Sequence, residues 1–317
     1  MLKLSMLSNL WKTILQMIDK YIDDFLKMMV AEKGASANTT EAYGYDLQQF
    51  FEICTVSDVK VISKENLSHY LQELSSMDYS TTSICRKVAT IHEFFKFLYT
   101  ERVIKNNPAL YLLSPKKEKP LPKFLTQKEV LKIINVAESS SNNHFRRIGV
   151  MMKLMYACGL RVSELITLKA NNINKNKKQI LIKGKGDKER IVPIASSALE
   201  ALNDYYSYRE SFLKRGRESI WLFPSYSKYG HLTRDAFYKD VKKLAMEAGI
   251  EKEKISPHVL RHSFATHLLN HDVNLRSIQK LLGHSDIATT EIYTHITSKK
   301  IMDEVRTKHP LAKIGSI

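Results

Sequence analysis

Cysteine is scarce in this chain of 317 residues: Cys54, Cys85 and Cys158 are the only three, an odd number with no paired spacing. Neither a disulfide framework nor a thiolate zinc site is expected from such usage, which fits a reducing compartment. Long apolar runs are missing too. The stretch from Leu7 to Ile18 is broken by Lys12 and followed by Asp19, with no small-residue cleavage site after it, so neither a secretory signal nor a membrane span is expected. The chain has no GxxxxGK[ST] phosphate loop and no HExxH pair. Acidic residues form the last deficit: 33 Asp and Glu stand against 49 Lys and Arg, for a net charge of +16.

What is present begins with a core. Hydrophobic residues make up 44% of the chain, which rules out a disordered basic tail, and the length suggests two domains. Ser114 to Pro122 holds three prolines and three lysines without apolar period and reads as an extended linker. Residues 1–112 carry 12 basic and 13 acidic side chains, and residues 113–317 carry 37 and 20, so the two parts sum to −1 and +17. The excess belongs to the linker and the second part. It points to a polyanionic partner, or to the solvated surface of a Lys-rich protein, with 36 Lys to 13 Arg.

Residues 1–14 read as a leader, with Met6 and Met17 as alternative starts, and residues 15–112 as helices throughout. Ser80, Thr81 and Thr82 offer capping oxygens. Ile84, Val88, Ile91, Phe95 and Leu98 then recur at helical spacing, leaving Arg86, Lys87 and Lys96 off the apolar stripe. Further helices are expected over Ile18–Val30, over Thr40–Phe51 with Asn38 and Glu41 as a capping box, and around Glu65–Leu74. Thr81, Thr82, Arg86 and Lys87, at a helix start, suit a phosphate backbone, as do Lys116 and Lys117 in the linker. Ordinary capping and a solvated face is the alternative for the helix residues.

The second part carries the reactive side chains. Thr126 and Glu129 form a capping box, and a helix over about Ile148–Cys158 stops at Gly159. Arg161 follows within Gly159-Leu160-Arg161-Val162-Ser163-Glu164-Leu165, where it either points from a rigid turn into a cleft or pairs with Glu164. Gln179–Ile182 and Ile191–Ile194 are β-rich runs flanking a hairpin tip that holds Lys185 between Gly184 and Gly186. Ser256 and Pro257 open a helix on which His258 and Arg261 share one face near the positive end, which suits an anion. Leu275, Ile278, Leu281 and Leu282 form a stripe ending at Gly283, with His284 next and Tyr293 on a helix restarting at Ser285. His258 and His262 are four apart, as are His267 and His271, yet no cluster of acids or thiols completes a zinc site; His262 and His267 are expected to pack internally.

In order and spacing, Arg161, Lys185, His258, Arg261, His284 and Tyr293 resemble the tyrosine recombinase (phage integrase) family over nearly the whole chain. The run from Ser256 to His271 and the closing His309-Pro310-Leu311-Ala312 are similar to the Xer subgroup, with Leu311 where Arg is common. The resemblance implies a fold that is mainly α with a small β-sheet. A helical core-binding, SAM-like domain (15–112) and a mixed α/β catalytic domain (125–298) would form a C-shaped DNA clamp, joined by a linker (113–124). A C-terminal helix or tail (299–317) would dock on a neighbouring protomer or fold back on its own domain.

The resemblance also implies roles. Tyr293 would attack the scissile phosphodiester and form a 3′-phosphotyrosyl bond, Arg161 and Arg261 would stabilise the phosphoryl oxygens, His258 and His284 would add hydrogen bonds or hold a proton, and Lys185 would protonate the 5′ oxygen. A covalent ester conserves bond energy, so no metal or cofactor is required. The implied partners are double-stranded DNA, a recombinase tetramer that includes a second Xer-type recombinase or does without one, and a septal DNA translocase. The implied setting is the cytoplasm, with chromosome dimers resolved at a dif-like site. A mobile-element integrase or invertase of the same chemistry, and a non-catalytic DNA-binding protein, are the alternatives.

Overall fold

The computed structural model describes residues 2–56, 58–115, 124–184, 189–213, 218–283 and 307–313. The chain divides into two compact units, Met1–Pro120 and Leu121–Ile317. Among the described residues no helix is long and apolar enough to cross a membrane.

The first unit is a helical bundle of α1 (Leu2–Ala31), α2 (Ala37–Cys54), α3 (Lys64–Ser76) and α4 (Thr81–Thr100), followed by a 3₁₀ turn at Pro108–Tyr111. The apolar stripe of α4 is buried along its length, from Ile84 to Leu98. It meets Ile18, Ile22, Phe25 and Met29 of α1, Leu47 and Phe50 of α2, and Leu67, Tyr70 and Leu74 of α3 in one core. Ring edges organise that core: Phe50 stands perpendicular to Tyr70 at 5.0 Å, and Phe25 meets Phe94 edge-on at 5.4 Å.

Two local expectations differ. The segment set apart as a leader is continuous with the first helix, because neither proline nor glycine interrupts Leu2–Ala31. The cap of α2 is Ser36, whose Oγ accepts from the Thr39 N–H at 3.3 Å, while Asn38 already lies inside the helix. The box proposed between Asn38 and Glu41 therefore does not form. In α3 the box is Ser63 with Asn66.

The second unit opens with α5 (Gln127–Glu138), on which the Thr126–Glu129 box is present in both directions. Next comes α6 (Asn143–Cys158), the central helix, whose residues are buried from Arg147 through Cys158 save Lys153. The left-handed Gly159 (φ +60°) ends it, and a Cβ there would lie 2.5 Å from the Phe264 ring. After the short α7 (Val162–Ile166) an antiparallel sheet runs in the order β1 (Ile173–Asn174), β2 (Gln179–Lys183), β3 (Glu189–Pro193). Its register sets Leu181 opposite Ile191 and Lys183 opposite Glu189.

Among the described residues four further helices follow: α8 (Ser196–Tyr208), α9 (Arg234–Glu247), α10 (Pro257–Asn270) and α11 (Leu275–Leu282). Ile180, Ile182, Val192 and Ile194 bring the inner face of the sheet into a core shared with Met151, Tyr156, Leu165, Phe237, Leu260 and Phe264.

Residues 307–313 pack onto their own unit. His309 and Leu311 are buried, and Ser197 Oγ donates to Leu311 O at 3.1 Å. Both ring nitrogens of His309 are engaged: Nε2 donates to Tyr156 O at 3.1 Å and Nδ1 accepts the Leu311 N–H at 3.0 Å. Burial, then, pushes His309 down to about 4. Because the folded value lies below the ordinary 6.5, the neutral ring's contribution is complete above that pH and is lost as pH falls towards 4. Its limit is about 3 kcal/mol. Urea unfolding across this window will show stability falling with pH, and His309→Asn will flatten the slope, leaving the part supplied by His267, which burial also lowers. An unchanged slope would assign the effect to other groups.

Candidate active site

Three parts of the second unit converge on the carboxylate of Glu164, which is 5% exposed. The turn at Gly159 delivers Arg161 in extended conformation (φ −73°, ψ 149°) just ahead of α7. Its backbone N–H donates to Glu164 Oε2 at 2.8 Å and its Nη1 to Oε1 at 3.0 Å. From β3, Arg190 donates through Nη1 to Oε1 at 2.8 Å and through Nη2 to Oε2 at 2.7 Å, a two-pronged pair. From α10, Arg261 brings Nη1 to 3.8 Å of Oε2. Burial alone would raise the Glu164 value. The hydrogen bonds from Arg190 and from the Arg161 N–H outweigh that and hold the carboxyl below its usual range.

The same arginines cap the end of α11. Arg190 Nε donates to Leu281 O at 2.8 Å, Arg261 Nη2 to Leu282 O at 2.5 Å, and Arg161 Nη2 to Gly283 O at 3.5 Å. A helix end leaves carbonyls without partners and carries the negative end of the dipole, so guanidiniums are fitting caps. Arg261 Nη1 also donates to Gly159 O at 2.6 Å, which locks α10 to the turn that positions Arg161. Burial and the neighbouring Arg161 lower Arg261 to about 10, so it stays charged at neutral pH. Arg161 has 39% of its side chain exposed and presents part of its donor fork to solvent. Two such planar donors side by side suit a tetrahedral anion.

His258 lies one turn before Arg261 on α10, capped by Ser256 Oγ on the Val259 N–H at 3.1 Å, and is exposed. Lys185, His284 and Tyr293, with the helix expected from Ser285, lie outside the described residues, as do Lys116 and Lys117. Arg161 answers both of its alternatives at once, pairing with Glu164 while keeping an open side. The sequence points to Glu164 only as that partner, and gives no expectation for Arg190. The signal for Arg190 was a charge two residues from Val192 on a strand of alternating burial, where an inward cation demands a counter-ion.

Other expectations are corrected. His262 is exposed rather than packed, since position 262 faces away from the core that buries Leu260, Ser263 and Phe264. His267 is buried, sharing a 2.7 Å hydrogen bond with the Tyr156 hydroxyl. Among the described residues no group of three His, Cys, Asp or Glu could hold a metal ion. The buried Cys158 thiol is pushed up to about 12 and is no nucleophile. In the first unit, Thr81 and Thr82 are exposed, and Arg86 is half exposed on the Asp46 carboxylate. Lys87 is 5% exposed, with Nζ 2.9 Å from Asp46 Oδ1 and 2.5 Å from Gln49 Oε1, so its charge is neutralised inside the bundle and not presented to an outside anion.

Comparison with known proteins places this geometry. Residues 123–300 match the phage integrase family, and residues 22–102 match the phage integrase N-terminal SAM-like domain. Tyrosine recombinase XerD of Rhizobium meliloti is 41% identical, the match covering 92% of this chain and 96% of that protein. XerD of Caulobacter vibrioides is 38% identical over 93% of this chain and 98% of that protein. Among solved structures, the XerH site-specific recombinase bound to its difH substrate superposes with a TM-score of 0.64 at 25% identity, covering 86% of this chain and 80% of that one. A lambda integrase dimer on a core site shares the fold at 18% identity, with a TM-score of 0.63 over 90% and 95% of the two chains. The chain belongs to the phage integrase family, as a site-specific tyrosine recombinase of the Xer group. Its first unit is the SAM-like domain and its second the catalytic domain.

Replacing Glu164 by Gln keeps the shape and leaves Arg190 and Arg261 without their counter-ion. The variant should lose about 3 kcal/mol in urea unfolding at neutral pH. A carboxyl held below its usual range contributes above that range and stops contributing as pH falls through it. The gap between the two proteins should therefore narrow on acidification; a constant gap would trace the loss to shape rather than charge.

Proposed function

We propose that the protein cuts and rejoins double-stranded DNA at a dif-like site in the cytoplasm, through a 3′-phosphotyrosyl bond to Tyr293, and so resolves chromosome dimers. The observation that carries this proposal is the gathering of Arg161 and Arg261 beside one ionised, buried carboxylate, with His258 a turn away on the same helix. Relatives named XerD that match 92% of the chain support the chromosomal role, and the XerH complex with difH supports duplex DNA of that kind as substrate.

In this proposal the Tyr293 oxygen attacks phosphorus and the bond from phosphorus to the 5′ oxygen breaks. Lys185 supplies the proton to the leaving oxygen, and the phenolic proton passes to an imidazole, His258 or His284. Attack by the 5′-hydroxyl of a second duplex reverses these steps on the exchanged strand, so no bond energy is consumed. Transfer of a phosphoryl group needs in-line placement and stabilisation of charge on the non-bridging oxygens, which the paired guanidiniums provide. Affinity for the backbone comes from the +17 of the linker and second part, with Thr81, Thr82 and Arg86 at the start of α4 and Lys116 and Lys117 of the linker as further contacts. The working assembly is a tetramer on paired sites, alone or with a second Xer-type recombinase, activated by a septal DNA translocase.

On nicked suicide DNA, Tyr293→Phe should retain site binding and form no covalent adduct, read as a shifted band on a denaturing gel; a persisting adduct would assign the nucleophile elsewhere. Lys185→Ala should cleave slowly and recover on DNA with a bridging 5′-sulfur, a leaving group that needs no proton. Failure to recover would point to another acid.

A further inference from the structure

Arg190 has no part in the chemistry assigned above, yet it joins three pieces of the framework that hold it. It is the second residue of β3, paired in register with Ile182, and so follows closely on the hairpin tip that carries Lys185. Its Nη1 and Nη2 take one oxygen each of Glu164, the acid that also binds Arg161. Its Nε donates to Leu281 O at the end of α11, two residues before Gly283 and three before His284. Gly283 packs directly on it: a Cβ there would lie 3.3 Å from Nη1 and 3.4 Å from Cδ, in a backbone with φ +66°. The side chain is 13% exposed, so it is held inside the framework and not offered to solvent as Arg161 is.

We propose that Arg190 is a positioning residue for strand cleavage, a planar fork that fixes the start of β3, the Arg161 turn and the end of α11 in mutual register. This rests on the roles proposed for Lys185, Arg161 and His284. The β2–β3 ladder by itself fixes the hairpin to the sheet and not to Glu164 or α11. Arg190 supplies both remaining links from one rigid group. Lysine offers a single point of charge and cannot span both oxygens of Glu164 and the Leu281 carbonyl together. Loss of the fork leaves the acid, the base of the hairpin and the helix end free to shift by fractions of an ångström to an ångström. In-line phosphoryl transfer is sensitive to displacements of that size.

The test uses the full chain, nicked suicide DNA, and the variants Arg190→Ala and Arg190→Lys. DNA affinity should stay close to that of the unaltered protein, while adduct formation slows by about 10²-fold in Arg190→Ala. Millimolar guanidinium should restore adduct formation in Arg190→Ala, filling the vacated place between Glu164 and Leu281 O, and should not accelerate the unaltered protein. A purely structural role predicts no gain, because guanidinium, where it acts on the fold at all, weakens it. Adduct formation at the unaltered rate in Arg190→Ala, or a loss that guanidinium leaves untouched, would overturn the proposal. If Arg190→Ala fails to bind DNA, Arg190→Lys decides: bound DNA with slow cleavage supports the role, and cleavage at the full rate overturns it. If the unaltered protein forms no adduct, the proposed chemistry itself falls and this role with it, which keeps the two failures distinct.

Discussion

One buried negative charge allows the rest of the site to exist. Two unit charges about 4 Å apart at the effective dielectric of a protein interior repel by roughly 4 kcal/mol. Arg161, Arg190 and Arg261 cannot be assembled side by side without an anion among them. Glu164 supplies it, three residues along the chain from Arg161, and the carbonyls at the end of α11 supply the remaining acceptors. The guanidiniums are therefore held in fixed orientation by neutral and charged partners of the protein itself. Donors that need no rearrangement at the moment of reaction are worth more than donors that must be gathered for it.

The SAM-like domain uses the same device for a different end. Asp46 of α2 is 1% exposed and takes Lys87 Nζ on Oδ1 at 2.9 Å and Thr90 Oγ1 on Oδ2 at 3.0 Å, with Arg86 also on Oδ2. Here the acid pins α4 to α2 and draws one of two adjacent cations inward. The surface at the start of α4 is thus poorer in charge than its sequence suggests, and the exposed Thr81, Thr82 and Arg86 are what remains of it.

Much of this was legible in the residues. Periodicity exposed the α4 stripe, and caps marked the starts of α5 and α10 and the stops of α6 and α11, because these depend on neighbours a few positions apart. The β2–β3 pairing was legible for the same reason, two β-rich runs around a glycine-bearing tip. What was hidden depends on distance in the chain. Nothing near Lys87 in sequence announces Asp46, 41 residues away, so a buried lysine resembled a surface one. Nothing near Arg190 announces Leu281, 91 residues on. Helices α8 and α9 carry apolar stripes at helical spacing, Ala198, Ala201, Leu202 and Tyr205 in the one and Phe237, Val241, Leu244 and Ala245 in the other, but charged and polar residues between them mask the period in the sequence, and packing against α6 completes them. Ser36 displaced Asn38 as a cap because two competent residues stood close together and only backbone conformation could choose between them.

The anchored end of α11 also limits where the following chain can go. Arg190, Arg261 and Arg161 hold the carbonyls of residues 281, 282 and 283, so the peptide leaving Gly283 starts from a fixed point. Ten residues separate Gly283 from Tyr293, and no path through them can exceed about 35 Å. That length sets the greatest distance from Gly283 at which Tyr293, the nucleophile of the proposed chemistry, could meet a phosphate.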